Sequence, residues 1–448
     1  MRTHRVVKRR KKAVTAFFVF AIGMTRRIIV LLQHMQHPHH FSLNRKRTMS
    51  TLFDHVDVYP GDPILGLVDT FKKDPREGKV NLGIGLYYDE NGVIPLLPSV
   101  VKAETDLAQH LEARPYLPME GLAAFRSSIQ NLLFGANHEA VVSKRIATVQ
   151  TIGASGALRI GADFLKKYFP ASDLYVSDPT WDNHRAIFDA AGFNVKTYPY
   201  YDAATGGVDI EGMLACLKSL PAKTIVLLHP CCHNPTGVDL STEQWVKVIA
   251  AVKEHDLIAF MDIAYQGFGD GIEEDAIAIR MMAESGVNFF VSNSYSKNLS
   301  YYGERAGGLS VVCDNADDAE RILGQLKLTI RKNYSSPAYH VSTVTAAVMN
   351  TPELRSMWES EVTEMRVRIK AMRQKLYDVL TAKVAGKDFS YLLTQRGMFS
   401  YTGLSPAQVD RLREEYAVYM VKSGRMCVAG LNNHNVDTVA NAMAAVMA

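Results

Sequence analysis

Short apolar runs recur through the middle of the chain with room for a helix between them. They are Leu174-Tyr-Val176, Thr224-Ile-Val-Leu-Leu228, Leu257-Ile-Ala-Phe-Met261, Phe289-Phe-Val291 and Leu309-Ser-Val-Val312. Several of the intervening segments have helical spacing. Ser241-Thr-Glu-Gln-Trp245 opens one of them with a hydroxyl cap and an early acid, after which Trp245, Ile249 and Val252 fall on one face. Strands alternating with helices imply an α/β chain with a largely parallel sheet, and such sheets hold ligands at the C-terminal ends of their strands.

Around that middle, the chain of 448 residues has length for two or three domains. Tyr59-Pro-Gly-Asp-Pro63 marks a turn-rich arm, Lys79 to Gly85 reads as a short strand, and Asp89-Glu-Asn-Gly92 as a turn. Gly83-Ile-Gly85 lacks a third glycine at Tyr88, so a dinucleotide loop is a weak reading. After Thr351-Pro-Glu353, where Thr is a capping residue and Pro sits in the first turn, Leu354, Met357, Trp358, Val362, Met365, Ile369, Met372, Leu376 and Leu380 repeat every three or four residues. That predicts a helix of about 30 residues, long enough to link two domains. From Phe389 to Ala448 short strands and helices suggest a smaller domain.

The formal charge of +4 misleads about partners. Residues 1–48 hold 12 Lys/Arg and no acid, which leaves 38 basic against 46 acidic residues, a net of −8, over the rest. The body is therefore mildly acidic, and nothing in it calls for nucleic acid. The basic run Lys8 to Lys12 and the apolar stretch Ala13 to Met24 resemble a signal segment, but no small-residue cleavage site follows and the stretch is too short to span a membrane. Met49-Ser-Thr-Leu-Phe53 reads like a fresh start, so residues 1–48 are expected to be an extension outside the fold. Five cysteines (Cys216, Cys231, Cys232, Cys313, Cys427) without a CxxC pair argue for a reducing, cytoplasmic setting.

The chemistry gathers at the strand ends. In Ser292-Asn-Ser-Tyr-Ser-Lys297, followed by Tyr301-Tyr-Gly-Glu-Arg305, a lysine directly follows an apolar run. A lone lysine is most often a surface residue in a polar loop. A desolvated one is an amine nucleophile that condenses with aldehydes, and Ser294 and Arg305 have the chemistry to hold a phosphate beside it. Pyridoxal phosphate is the aldehyde cofactor that proteins hold this way. Gly153-Ala-Ser-Gly156 before a helical pattern suits either a simple helix cap or a phosphate cradle. His229-Pro-Cys-Cys-His-Asn234-Pro-Thr-Gly237 is too crowded for ordinary zinc spacing, whereas Asn234 is suited to bond a phenolate-type oxygen. Asp262 ends a strand as a helix cap or as the partner of a pyridinium N–H; Tyr265, three residues on, can donate to a ring oxygen. Arg425, in Ser423-Gly-Arg425, can grip a carboxylate two-handed.

Asn-Pro-Thr-Gly, Asp-x-Ala-Tyr, Ser-x-Ser-Lys, Glu-Arg-x-Gly and Gly-Arg occur here in one order, and from about Leu52 to the C-terminus the chain resembles the class I aminotransferases of the aspartate aminotransferase family. Tyr116-Leu-Pro-Met-Glu-Gly121, Leu86 to Pro95 and His229-Pro-Cys-Cys-His233 are most similar to its bacterial aromatic-amino-acid (tyrosine) branch. The resemblance implies fold type I of the pyridoxal-phosphate enzymes. That means an arm (49–61), a large domain with a mostly parallel sheet flanked by helices (95–364) and a smaller α/β domain (62–94 and 365–448). It also implies roles. Lys297 would carry the cofactor and shuttle the proton, Asp262 would pair with the pyridine nitrogen, and Tyr265 and Asn234 would bond the ring oxygen. Gly153, Ala154, Ser155, Ser294 and Arg305 would hold the phosphate, with Tyr116 from a partner subunit. Trp181 would stack on the ring, with His184 behind Asp262. Arg425 and the backbone of Gly85 would bind the substrate α-carboxylate, and Arg331 from the partner would bind a side-chain carboxylate. Ala154 and Ser155 stand where many aspartate aminotransferases have Gly and Thr; the hydroxyl and the backbone donor are kept. The expected enzyme is a homodimer exchanging amino groups between aromatic amino acids or aspartate and 2-oxoglutarate. The alternative is an aspartate aminotransferase with only side activity on aromatics. A regulator carrying the same fold would need a DNA-binding segment in front, and residues 1–48 are too short for one.

Overall fold

The apolar runs become strands of one sheet whose two faces are both covered. A computed structural model of the chain describes residues 52–59, 61 and 63–447; the front segment and Met49 lie outside the described residues. In chain order the strands are β1 (Val80–Asn81), β2 (Ile146–Ile152), β3 (Leu174–Asp178), β4 (Val195–Pro199), β5 (Tyr201–Asp202), β6 (Gly207–Val208), β7 (Ile225–Leu228), β8 (Ile258–Ile263), β9 (Phe289–Ser294), β10 (Ala306–Val312), β11 (Phe399–Tyr401), β12 (Val418–Tyr419) and β13 (Arg425–Cys427). Seven of them form the main sheet in the order β2-β10-β9-β8-β7-β3-β4. Side chains alternate between two apolar clusters: Ile225, Leu227, Phe260 and Phe290 belong to one, and Val226, Leu228, Met261, Phe289 and Val291 to the other. With both faces buried, these central strands read as apolar runs. Full burial of a side chain such as Phe260 stabilises by about 1.5–3 kcal/mol.

Six strands run one way, and β10 is antiparallel to both neighbours, β2 and β9. This exception matters. The start of a reversed strand lies at the same edge as the ends of the others, so Arg305, just before β10, arrives beside the residue following β2 and those following β9. The register is explicit, with Ala306 opposite Ile152 and Gly307 opposite Ser294.

Two strands of the main sheet escaped the reading of apolar runs. β2 carries Thr148 and Gln150 at buried positions, and their partners are distant in sequence: Ser310 Oγ lies 2.9 Å from Thr148 Oγ1, and Gln150 Nε2 donates to Ala338 O at 2.7 Å. β4 is an edge strand with Lys196 exposed. Of the expected strand from Lys79 to Gly85 only Val80–Asn81 forms β1; Leu82 still donates to Tyr419 O at 2.7 Å and accepts from Cys427 N at 2.8 Å, and beyond it Asn81 Oδ1 accepts from Gly83 N at 3.0 Å.

The helix reading holds in most details. Ser241 and Gln244 form a reciprocal capping box on the Thr242–Glu254 helix, an interaction worth about 1 kcal/mol. Trp245, Ile249 and Val252 are buried. The long helix spans Pro352–Lys383, 32 residues, with Leu354, Trp358, Val362, Met365, Ile369, Met372, Leu376 and Leu380 buried. Thr351 occupies its cap position, but its side chain makes no capping bond. The early part of this helix bonds Ser99 through Glu361, and the later part bonds Tyr88 O and Leu431 O through Arg368. Beyond the main sheet, β1 pairs with β12 and β11 with β13, so the first strand and the C-terminal strands interlock. Residues 52–59 belong to a separate unit; they are exposed, and Val56 N donates to Phe53 O at 2.9 Å. No helix among the described residues is long and apolar enough to cross a membrane.

Candidate active site

Strand ends along one edge of the main sheet deliver residues to a common cavity of about 260 Å³. β8 brings Asp262, and the turn after it brings Tyr265. The loop after β7 brings Asn234, the segment after β3 brings Trp181 and His184, and the loop after β9 brings Lys297. Ala154 and Ser155 enter from the first turn of the Gly153–Tyr168 helix, which starts at Gly153 itself, four residues earlier than the helical pattern at Ala157. Gly85, Ser294, Arg305 and Arg425 also line it.

Lys297 is partly buried, its Nζ 5.4 Å from the centre of the Tyr265 ring. Loss of hydration, reinforced by the Arg305 guanidinium, draws its ammonium down to about 8. Asp262 lies opposite in character. Burial alone would raise its carboxyl, but the hydrogen bond and charge of His184 hold it below the usual range. His184 Nε2 bonds Asp262 Oδ2 at 3.0 Å, and His184 Nδ1 meets Thr180 Oγ1 at 2.9 Å. Nε2–H donates to the carboxylate, and Nδ1 faces the Thr180 hydroxyl. His229, near Thr180, is drawn down to about 3 by burial and by His184, so it is neutral at pH 7. The other Asp262 oxygen, Oδ1, is buried without any partner. A buried carboxylate oxygen left bare is costly unless a donor fills the site.

The phosphate-type corner is built by close approach. Arg305, itself at φ 60°, accepts from Gly153 N at 2.8 Å through its carbonyl. Its Nη1 donates to Tyr302 O at 2.9 Å and to Ser296 Oγ at 3.2 Å. Gly153 has φ +63°, and a Cβ there would lie 2.6 Å from Arg305 Nη2, so only glycine lets the guanidinium lie on the helix start. Ile152, at the cap position, offers no capping side chain, which leaves first-turn N–H groups for an anion.

At the far side Arg425 donates to Gly83 O at 2.7 Å and to Asn234 Oδ1 at 3.3 Å, while its Nε is unpartnered. Asn234 Nδ2 lies 3.5 Å from the Tyr265 hydroxyl, and burial raises the Tyr265 phenol, which therefore stays protonated. His233, from the same crowded stretch, bonds Ser177 and Thr236. Cys231 and Cys232 stand with Asp275 within 4.8 Å, but that carboxylate already accepts from the N–H groups of Gly267, Gly269 and Asp270.

Of the expected residues, Gly153 supports Arg305 from behind without lining the cavity. Tyr116, 96% exposed, and Arg331, exposed and bonded to Ser335, also lie off the cavity within one chain. Ser296, Tyr302 and Phe399 line the cavity and were not anticipated. Ser296 lay inside the Ser-x-Ser-Lys motif, whereas nothing local marks Phe399, which β11 brings in from the C-terminal part.

The model of the aminotransferase class I and II family matches residues 77–443. The aromatic-amino-acid aminotransferase of Escherichia coli K12 is 61% identical over 397 residues, 88% of this chain and 100% of that protein. Among solved structures, the aromatic-amino-acid aminotransferase of Burkholderia pseudomallei, covalently bound to pyridoxal phosphate, superposes with a TM-score of 0.88 at 52% identity, covering 89% of this chain and 100% of that one. A psychrophilic aromatic amino acid aminotransferase from Psychrobacter sp. B6, crystallised with aspartic acid, superposes with a TM-score of 0.87 at 54% identity, covering 88% of this chain and 100% of that one. The likeness extends over the strands and loops that build the cavity, and the chain belongs to the class I and II aminotransferase family.

Proposed function

We propose that this chain, loaded with pyridoxal phosphate, moves the amino group of aromatic amino acids and of aspartate to 2-oxoglutarate. The bare Oδ1 of Asp262 carries the reading: a protonated ring nitrogen is the donor it lacks, in a cavity that also holds a lysine drawn down to about 8 and two arginines. Pyridoxal phosphate supplies an aldehyde for Lys297 and a ring that accepts the electron pair left when the α-proton departs.

The residues then divide the work. Lys297 Nζ is the base that takes the proton from the substrate α-carbon, a role its lowered ammonium suits. Asp262 keeps the ring nitrogen protonated, and His184 with Thr180 holds the carboxylate in place. Tyr265 and Asn234 serve the ring oxygen, and Trp181 its face. Ala154, Ser155, Ser294 and Arg305 bind the phosphate, with Gly153 shaping Arg305. Arg425 and the backbone of Gly85 hold the α-carboxylate.

Tyr116 and Arg331 lie off the cavity of their own chain, which supports a homodimer in which each completes the other's site, with Arg331 reading a side-chain carboxylate. The pairing of β1 with β12 and of β11 with β13 supports a smaller domain made of residues 62–94 and 365–448 beside a larger one of 95–364. Five free cysteines support a cytoplasmic setting. The aromatic relatives support the aromatic branch, and the aspartic acid seen in one of them supports the second substrate.

The deciding measurement is kcat/KM for tyrosine, phenylalanine and aspartate in parallel with 2-oxoglutarate. Aromatics equal to or above aspartate are expected. An aspartate lead of more than about a hundredfold, roughly 2.7 kcal/mol, would make this an aspartate aminotransferase with side activity on aromatics.

A further inference from the structure

Arg373 is a buried cation that no carboxylate meets in an ion pair among the described residues, although Asp239 is near enough to favour its charge. It lies on the long helix at 3% exposure. It bonds three carbonyls instead: Leu392 O at 3.4 Å, Gly397 O at 2.9 Å and Phe399 O at 2.5 Å, while its Nε has no partner. Removing a guanidinium from water without a paired counter-charge is costly, and an apolar side chain of similar volume fills such space better. Its geometry is what an apolar residue lacks, since a rigid fork can gather several carbonyls of one segment.

That segment leads straight to the active site. On its other side Arg396 N donates to Gly237 O at 2.7 Å, and a Cβ on Gly237 would lie 2.6 Å from Phe399 O. The strand entry is thus pinned between Arg373 and the Asn-Pro-Thr-Gly turn. The Phe399 ring meets Tyr265 edge-on at 5.6 Å, a Cβ on Gly85 would lie 2.8 Å from its tip, and the Arg425 guanidinium sits 4.5 Å from its centre.

We propose that Arg373 is a positioning residue for substrate binding: by holding the carbonyls of Gly397 and Phe399 it sets the ring on which Arg425 rests, and so where the substrate carboxylate is gripped. This rests on the reading of Arg425 as the α-carboxylate site.

The test uses the full chain loaded with pyridoxal phosphate, with Arg373→Lys and Arg373→Met compared with Phe399→Leu. The readouts are the Kd of 3-phenylpropionate, an unreactive carboxylate, KM and kcat for tyrosine, and the melting temperature. Both Arg373 variants should raise Kd and KM about tenfold, roughly 1.4 kcal/mol, with kcat within about twofold. Phe399→Leu should do the same, and the double variant should be no worse than either single one, since both act through one ring. A lowered melting temperature with unchanged Kd, or penalties that add in the double variant, would overturn the proposal. If neither Arg373 variant folds, Arg373 is a stabiliser and the proposal falls. Arg425→Lys separates the two layers: if it leaves Kd unchanged the carboxylate reading itself fails. If it weakens binding while the Arg373 variants do not, only the positioning role fails.

Discussion

Lys297 combines two demands that oppose each other in water, a free lone pair and a fixed position. Burial and Arg305 supply the first by drawing the ammonium from 10.5 to about 8. Below that value the folded chain still carries the proton and Nζ is not a nucleophile; above it the amine is free. Uptake of pyridoxal phosphate by the cofactor-free chain should therefore accelerate about tenfold per pH unit up to pH 8 and level off beyond it. The unfolded chain binds this proton more tightly, so between about 8 and 10.5 the same group makes the cofactor-free fold more stable as pH rises. Lys297→Ala should lower turnover by at least about a thousandfold and remove the pH-dependent uptake. Multiple turnovers by that variant would assign the base elsewhere. The lysine and the desolvation that lowers its ammonium were both legible, because Lys297 comes just after a buried strand that ends at Ser294; the added push from Arg305 was not, since it depends on the register of β10.

At the scale of elements, the start of the Gly153–Tyr168 helix and the start of β10 are one device. A Cβ on Gly307 would lie 2.6 Å from Asn293 O and 2.7 Å from Gly153 C, so small residues on the strand let it press against the helix start. Gly153→Ala places a side chain at φ +63° and against the Arg305 guanidinium. It should cost about 1–2 kcal/mol of stability and raise the Kd for pyridoxal phosphate about tenfold, as titration of the cofactor-free chain would measure. Unchanged affinity would mean that Arg305 holds its place without the glycine. The motif Gly-Ala-Ser-Gly suited either a helix cap or a phosphate cradle, and the part played by its first glycine depends on an arginine 152 positions later.

For the whole molecule the prediction concerns two chains. Neither Arg331→Leu nor Lys297→Ala homodimers should transaminate aspartate well. Mixed and reannealed, they should form hybrids in which one site has an intact Lys297 from one chain and an intact Arg331 from the other. Aspartate activity should reappear, reaching up to about half of the normal sites in each hybrid, a count that follows from the exchange symmetry of a two-fold dimer. No recovery would mean that Arg331 serves its own chain or no site at all.

The sequence by itself determined the α/β class, because doubly buried strands must read as apolar runs, and it placed Asn234, Asp262 and Lys297 together, because strand ends of one parallel sheet share an edge. Only the tertiary structure decided the rest. β2 was hidden by Thr148 and Gln150, whose polarity is satisfied by partners far along the chain. The reversal of β10 brings Arg305 onto Gly153, and the C-terminal strands bring Phe399 and Arg425 over the cavity. Such placements depend on pairing between segments distant in sequence, and local patterns of polarity carry no record of which strand a given strand will meet.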